Sequence, residues 1–333
     1  MIKNKLFYFI QSILILLPAL SIAQRIELVQ QGKPVSIRGL SVVNDKIAWI
    51  SSSQGYIAIT ADGGKSWNWR QVKGFENSDF RDIEAFSAKE AIVMSSGTPA
   101  VILKTNDGGI NWKINYRKDD SIYFLDAMDF DNPKHGFALG DPIDNNFLLL
   151  ETKNGGDNWT VLNGPDAHKD QAAFAASGTC INANGLLRIV TGGQAAELIN
   201  QRDSGWSHHR LPVMQNRATQ GAFSFAIDAK QIVVIGGDYR NDKKRDSTVC
   251  YSTDGGLTWH LPKTFPSGYQ SCITQIKTIF FLSTGTAGTN ISTDGGKNWH
   301  QIDQQSFNVC RKAKHGNLVI LAGADGKIGI LKN

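Results

Sequence analysis

The chain has 333 residues, of which 41% are hydrophobic, and a formal charge of +5. That balance suits one folded body with a sizeable core and excludes a disordered chain. The charge is too small and too scattered for a dedicated nucleic-acid binder, and the longest basic cluster, Lys243-Lys244-Arg245, is neutralised by Asp242 and Asp246 on either side.

Residues 1–23 read as a signal peptide. Lys3 and Lys5 make a basic start, Ile13 to Leu20 an apolar centre, and Ser21-Ile22-Ala23 places small residues where a signal peptidase cuts. Cleavage after Ala23 leaves residues 24–333 as a single exported domain, periplasmic or secreted. No later segment is long and apolar enough to span a bilayer. No cysteine lies beside the cleavage site, so no lipid anchor is expected. Cys180, Cys250, Cys272 and Cys310 match no zinc spacing and are expected as buried free thiols. Cys272 and Cys310 are the pair to test for a disulfide, since they fall at similar points of adjacent repeats. Neither a metal nor another cofactor is expected: the histidines show no ligand spacing, and no Gly-rich strand-to-helix fingerprint or haem motif occurs.

The exported part is organised by one repeated stretch. TADGGKSW ends at Trp67, TNDGGINW at Trp112, TKNGGDNW at Trp159, STDGGLTW at Trp259 and STDGGKNW at Trp299. A shortened copy survives as Asp203-Ser204-Gly205-Trp206. The copies recur every 40–50 residues or so, a period typical of propellers and solenoids. Each reads as a hairpin turn. The Ser/Thr and Asp side chains accept hydrogen bonds from turn amides, the glycine pair supplies positive φ, and the tryptophan buries its ring against a neighbouring unit. A calcium site is a poor alternative, with one carboxylate per repeat where calcium takes six or more oxygens.

In chain order, Ser36–Val43, Lys46–Ser51, Tyr56–Thr60 and Trp67–Val72 are the four strands of a first blade. Further blades run from Phe80 to Tyr116, Ile122 to Leu162, Ala172 to Leu211, Gly221 to Leu261 and Tyr269 to Ile302. Only three strands remain after these: Phe307–Lys312, Asn317–Ala322 and Lys327–Leu331. An open edge is a liability, and the spare strand Arg25 to Gln30 is expected to pair there and close the ring. The expected fold is therefore all-β: a seven-bladed β-propeller of four-stranded antiparallel blades, closed by the N-terminal strand.

The pattern S/T-x-D-G-G-x-x-W resembles the Asp-box (BNR) repeat of β-propellers. Its double-glycine form is similar to repeats of photosystem II stability/assembly factor-like proteins, sortilin-type receptors and xyloglucanases. The resemblance runs from about Arg25 to the C-terminus. It implies a non-enzymatic scaffold that binds a protein or other envelope component, a glycan included. A monomer is expected. Sialidases share the box but need an Arg-Ile-Pro motif, and the nearest stretch here is Arg210-Leu211-Pro212 in mid-chain.

Candidate site residues lie on the face opposite the boxes and on the innermost strands. Alignment of the blades matches Arg38 with Arg81 and Asp82 with Asp126. Arginines beside carboxylates at a channel either bind an acidic group or pair with those carboxylates. Asp238-Tyr239-Arg240, in a long hairpin loop, is placed to overhang the channel, which adds Tyr239 and Arg240 as binding candidates. The alternative, a glycoside hydrolase, draws its acid pair from Asp82, Glu84, Asp126 and Asp141. A label of oxidoreductase has no support in the sequence.

Overall fold

A computed structural model describes residues 24–332. The expected signal peptide and its cleavage site lie outside the described residues. Seven antiparallel sheets form a ring. In blade one, Ile37–Val42 is innermost, followed outward by Ala48–Ser52, Tyr56–Thr60 and Asn68–Gln71. The middle strands are almost wholly buried because both of their faces meet a neighbouring blade; Ala91–Ser96 and Ala100–Thr105 in blade two are buried at every position. Such strands read as continuous apolar runs.

The ring closes as the three-strand remainder requires. Arg25–Gln30 pairs antiparallel with Ile328–Lys332, with Arg25 opposite Lys332 and Glu27 opposite Ile330. This completes a sheet with Val309–Lys312 and Val319–Ala322. Ile26 is buried in the core shared by blades seven, one and six.

The five intact stretches form turns with the same Ser/Thr and Asp/Asn wiring, and at Trp67, Trp112 and Trp299 the indole joins it. Thr60 Oγ1 donates to Asp62 Oδ1 (2.8 Å) and accepts from the Gly64 amide (2.9 Å). Asp62 Oδ1 also accepts from the Ser66 amide, and the Trp67 indole donates to the Gly64 carbonyl. Gly63 and Gly64 both have positive φ, 77° and 86°. The rings pack across blades: Trp112 of blade two meets Trp49 of blade one edge-on, with centroids 6.5 Å apart. Each intact turn is tied to the loop joining the two innermost strands of its blade, as Gly63 to Lys46 and Gly108 to Lys89. Both sets of loops therefore lie on one face, here called the lower.

Two blades depart from the expected plan. Blade four does not begin at Ala172. Its inner strand is Ile181–Asn182, followed by Arg188–Val190, Glu197–Arg202 and Gly205–Arg210. Gln171–Ala172 pairs instead with Gly192–Gly193, and both join blade five beside Arg217–Asp228. Blade five's outermost strand is reduced to one bridge between Tyr251 and His260. The fourth copy, stripped to Asp203-Ser204-Gly205, makes a tight two-residue hairpin in which Arg202 faces Gly205.

Candidate functional site: a channel divided by a crossing segment

Residues 173–179 do not form the expected inner strand; they cross the central channel. Three arginines on other blades hold their carbonyls. Arg38 donates to Ala176 O (3.3 Å), Arg81 to Ala175 O (3.4 Å) and Arg311 to Ser177 O (2.8 Å). Ser177 Oγ donates to Ser271 O (2.8 Å) on blade six. The run Ala172-Ala173-Phe174-Ala175-Ala176-Ser177-Gly178 is built for this passage. At Gly178 (φ 67°) any side chain would collide with the Asp82 carboxylate. The crossing leaves one cavity above and one below.

The upper cavity, of about 520 Å³, contains Arg38, Arg81, Asp126, Asp141, Tyr239 and Tyr269. Arg38, Arg81, Asp126 and Phe223 occupy equivalent places, each the extra residue of a bulge in an inner strand. A bulge re-aims the side chain it adds, and here it turns all four into the cavity. Phe174 stacks on Phe223 (centroids 3.8 Å apart, 7° between planes), and Tyr269 meets Phe223 edge-on at 4.9 Å. Tyr239 adds a further edge at 6.3 Å and does overhang the site. Arg240 does not line the cavity and is exposed.

The charges in this cavity are unevenly satisfied. Arg81 is paired with Asp79 at 2.7 Å. Among the described residues Arg38 has no carboxylate within salt-bridge distance, and burial, then the neighbouring Arg81, pull its pKa down. Asp126 is 0% exposed, and neither of its oxygens has a hydrogen-bond partner among the described residues. Burial and then Asp141 push its pKa well up, against Arg81 and the Ala175 amide. Burial also raises Asp141, to about 6.

The lower cavity, of about 250 Å³, takes Asp82, Glu84, Asp129, Arg311 and Lys314. Asp82 accepts from the Met128 and Ile83 amides (2.8 and 2.9 Å), yet burial drives its pKa to about 7 against Arg311. Glu84 is paired with Lys314. Arg311 Nη1 donates to Cys272 Sγ at 3.2 Å. Burial alone raises a thiol, but the Cys310 thiol and Arg311 outweigh it and hold Cys272 at about 5. All four cysteines are free and buried.

The match of Asp82 with Asp126 is thus displaced by one residue. Asp126 is the counterpart of Arg81, and Asp82 that of Ala127, as their partners Met94 and Leu139 show. A single step along a strand reverses the side chain. Arg38, Arg81 and Asp126 share the upper cavity, while Asp82 lies below the crossing segment. The four acids considered for glycoside cleavage are divided two and two. Nor do the arginines neutralise the buried carboxylates, since the acid bonded to Arg81 is Asp79. The sequence reading missed Phe174, Phe223, Tyr269 and Arg311. The sign available was the Ala-rich stretch 172–178, too poor in β-branched residues for an inner strand.

Ring closure, turn wiring and a polar axial cavity define the class: a seven-bladed β-propeller of Asp-box repeats whose openings lie along its axis. The family model for photosynthesis system II assembly factor YCF48 matches residues 23–119, and that for the BNR/Asp-box repeat matches 251–261 and 291–301. The photosystem II assembly lipoprotein Ycf48 of Synechococcus sp. (strain CC9902) is 23% identical over 312 residues, 91% of this chain and 86% of that protein. Among solved structures, YCF48 bound to D1 peptide aligns with TM-score 0.65 at 15% identity, covering 92% of this chain and 97% of that one. YCF48 from Cyanidioschyzon merolae aligns at 0.64 and 16% identity, covering 92% and 98%. U3-55K gives 0.63 at 11% identity, covering 93% and 98%, so these superpositions speak to the fold alone. The chain is an Asp-box (BNR) repeat β-propeller resembling the photosystem II stability/assembly factor-like proteins.

Proposed function

We propose that this protein is an exported, non-enzymatic propeller whose upper cavity binds a polypeptide partner. The observation that carries the reading is Arg38, a guanidinium with no carboxylate partner among the described residues, in a cavity walled by Phe174, Phe223, Tyr239 and Tyr269. Such a group favours an acidic side chain or chain terminus, and aromatic walls add contact area at little entropic cost. A solved relative is described as bound to a D1 peptide, which makes a peptide segment the natural class of occupant. The partner here need not be a photosystem protein.

Export is part of the proposal. The mature chain starts at Gln24, carries no lipid and is monomeric; intact mass of the purified envelope or medium fraction and size-exclusion chromatography test these points. The binding test is a pull-down with the mature protein from its own envelope, run beside Arg38→Ala and beside a glycan array. Arg38→Ala should release the captured protein while still folding and melting cooperatively, with only the small loss that comes from freeing the Ala176 carbonyl. Capture unaffected by this change would overturn the reading. A second reading has one supporting feature: Asp126 and Asp141 lie in one cavity, both with raised pKa. Cleavage of any member of a polysaccharide panel, lost in Asp126→Asn, would make the protein a glycoside hydrolase instead.

A further inference from the structure

We propose that Asp126 and Asp141 form a second, acidic subsite of the upper cavity that takes a primary ammonium, from a lysine side chain or a free amino terminus, of the partner whose carboxylate meets Arg38. This rests on the partner-binding reading above. Three oxygens carry it: Asp126 Oδ1, Asp126 Oδ2 and Asp141 Oδ1 are buried and have no hydrogen-bond partner among the described residues. Buried polar atoms are nearly always paired, and each orphan is unfavourable by about 1–3 kcal/mol. An ammonium has three N–H donors on a compact charge, a match for three oxygens. The bulges that aim Asp126 and Asp141 inward, one on each of two paired strands, are the same device that aims Arg38 and Arg81.

The two arginines do not forbid a cation here. Facing Asp126 are Arg81, itself held by Asp79, the Asp141 carboxyl and the Cys180 thiol, with Arg38 beyond Arg81. Burial and Asp141 disfavour charge on Asp126 in the empty cavity, and an ammonium between the two carboxyls relieves that by favouring their charged forms. The Arg81 charge is offset by Asp79 and that of Arg38 by the partner's carboxylate, so the ammonium meets two carboxyls and no uncompensated cation.

The test is calorimetry on the full mature chain at pH 7. The probes are a short Gly/Ser peptide carrying one lysine and one glutamate, its N-acetyllysine counterpart, and a peptide with the glutamate alone. Acetylation should weaken binding about tenfold or more. In Asp126→Asn the effect of acetylation should vanish; Asp141→Asn serves the same cycle if that variant fails to fold. Equal affinity for the lysine and acetyllysine peptides would overturn the acidic subsite while leaving the Arg38 reading intact. Failure of all three peptides to bind would overturn both.

Discussion

The carboxylates on the rim and those on the axis behave in opposite ways. At the rim, Asp62 and Asp107 accept several hydrogen bonds from their own turns, and these hold their pKa at about 2. Asp254 is held low by the same contacts from Thr258 and Ser252. On the axis, burial dominates: it raises Asp82 to about 7, Asp129 to about 6 and Asp126 well above the usual carboxylate range. At the rim, hydrogen bonds within an exposed turn favour the charged carboxylate, whereas on the axis burial outweighs even the amides that donate to Asp82 and Asp129. Solvent access, and not the presence of a partner, divides the two groups of aspartates.

Breaking the ring that supports both regions has the largest effect. A chain starting at Pro34 lacks the strand that covers Ile328–Lys332, and should lose on the order of 4 kcal/mol or its cooperative melting altogether. Wild-type-like thermal unfolding of that chain would disprove closure by sheet pairing. Next come the rim turns. Gly295 has φ 79°, and Gly295→Val should lower stability by about 1–3 kcal/mol. Thr60→Val strips the buried hydroxyl that serves both Asp62 and the Gly64 amide, for a loss of about 1–3 kcal/mol. Denaturant melts check both, and partner binding should fall only in proportion to unfolding. A stable Gly295→Val chain that no longer binds would make the turns a ligand site.

The contrast also appears as two pH windows of opposite sign. Rim carboxylates have folded pKa values below the unfolded one, so their stabilisation is complete above about pH 4 and is lost as pH falls toward 2. Axial Asp82 has a folded pKa above the unfolded one. The folded state then holds the extra proton, and stability declines as pH rises from about 4 toward 7. Asp129 and Asp141 act with the same sign in that window, so Asp82→Asn should lessen the slope of the melting-temperature profile there and leave the first window untouched. An unchanged slope between these limits would mean that Asp82 is not the group responsible. The smallest effect is expected of Arg81→Ala. Its ion pair with Asp79 is about a third exposed, so the loss should be at most about 1 kcal/mol. A sharp fall in melting temperature would show instead that Arg81 is needed to hold the crossing segment through Ala175.

What the sequence by itself determined is local. Within Thr60 to Trp67 the side chains of Thr60, Asp62 and Trp67 bond to their own turn, so the box reads directly as a hairpin, and its recurrence sets the blade period. The three-strand remainder at the C-terminus implies the closing strand, because a sheet edge cannot be left bare. Only the tertiary structure decided the site. The channel wall is assembled from inner strands some forty residues or more apart, and its sides are chosen by bulges at Arg38, Arg81 and Asp126 that leave no local mark in composition. One added residue reverses the face, which is why Asp82 and Asp126, alike in sequence, stand in different cavities. For the segment 173–179 composition argues only against an inner strand; its course is set by arginines on blades one, two and seven that fix its carbonyls. Backbone groups satisfied across a channel, rather than along a strand, have no period for a sequence to display.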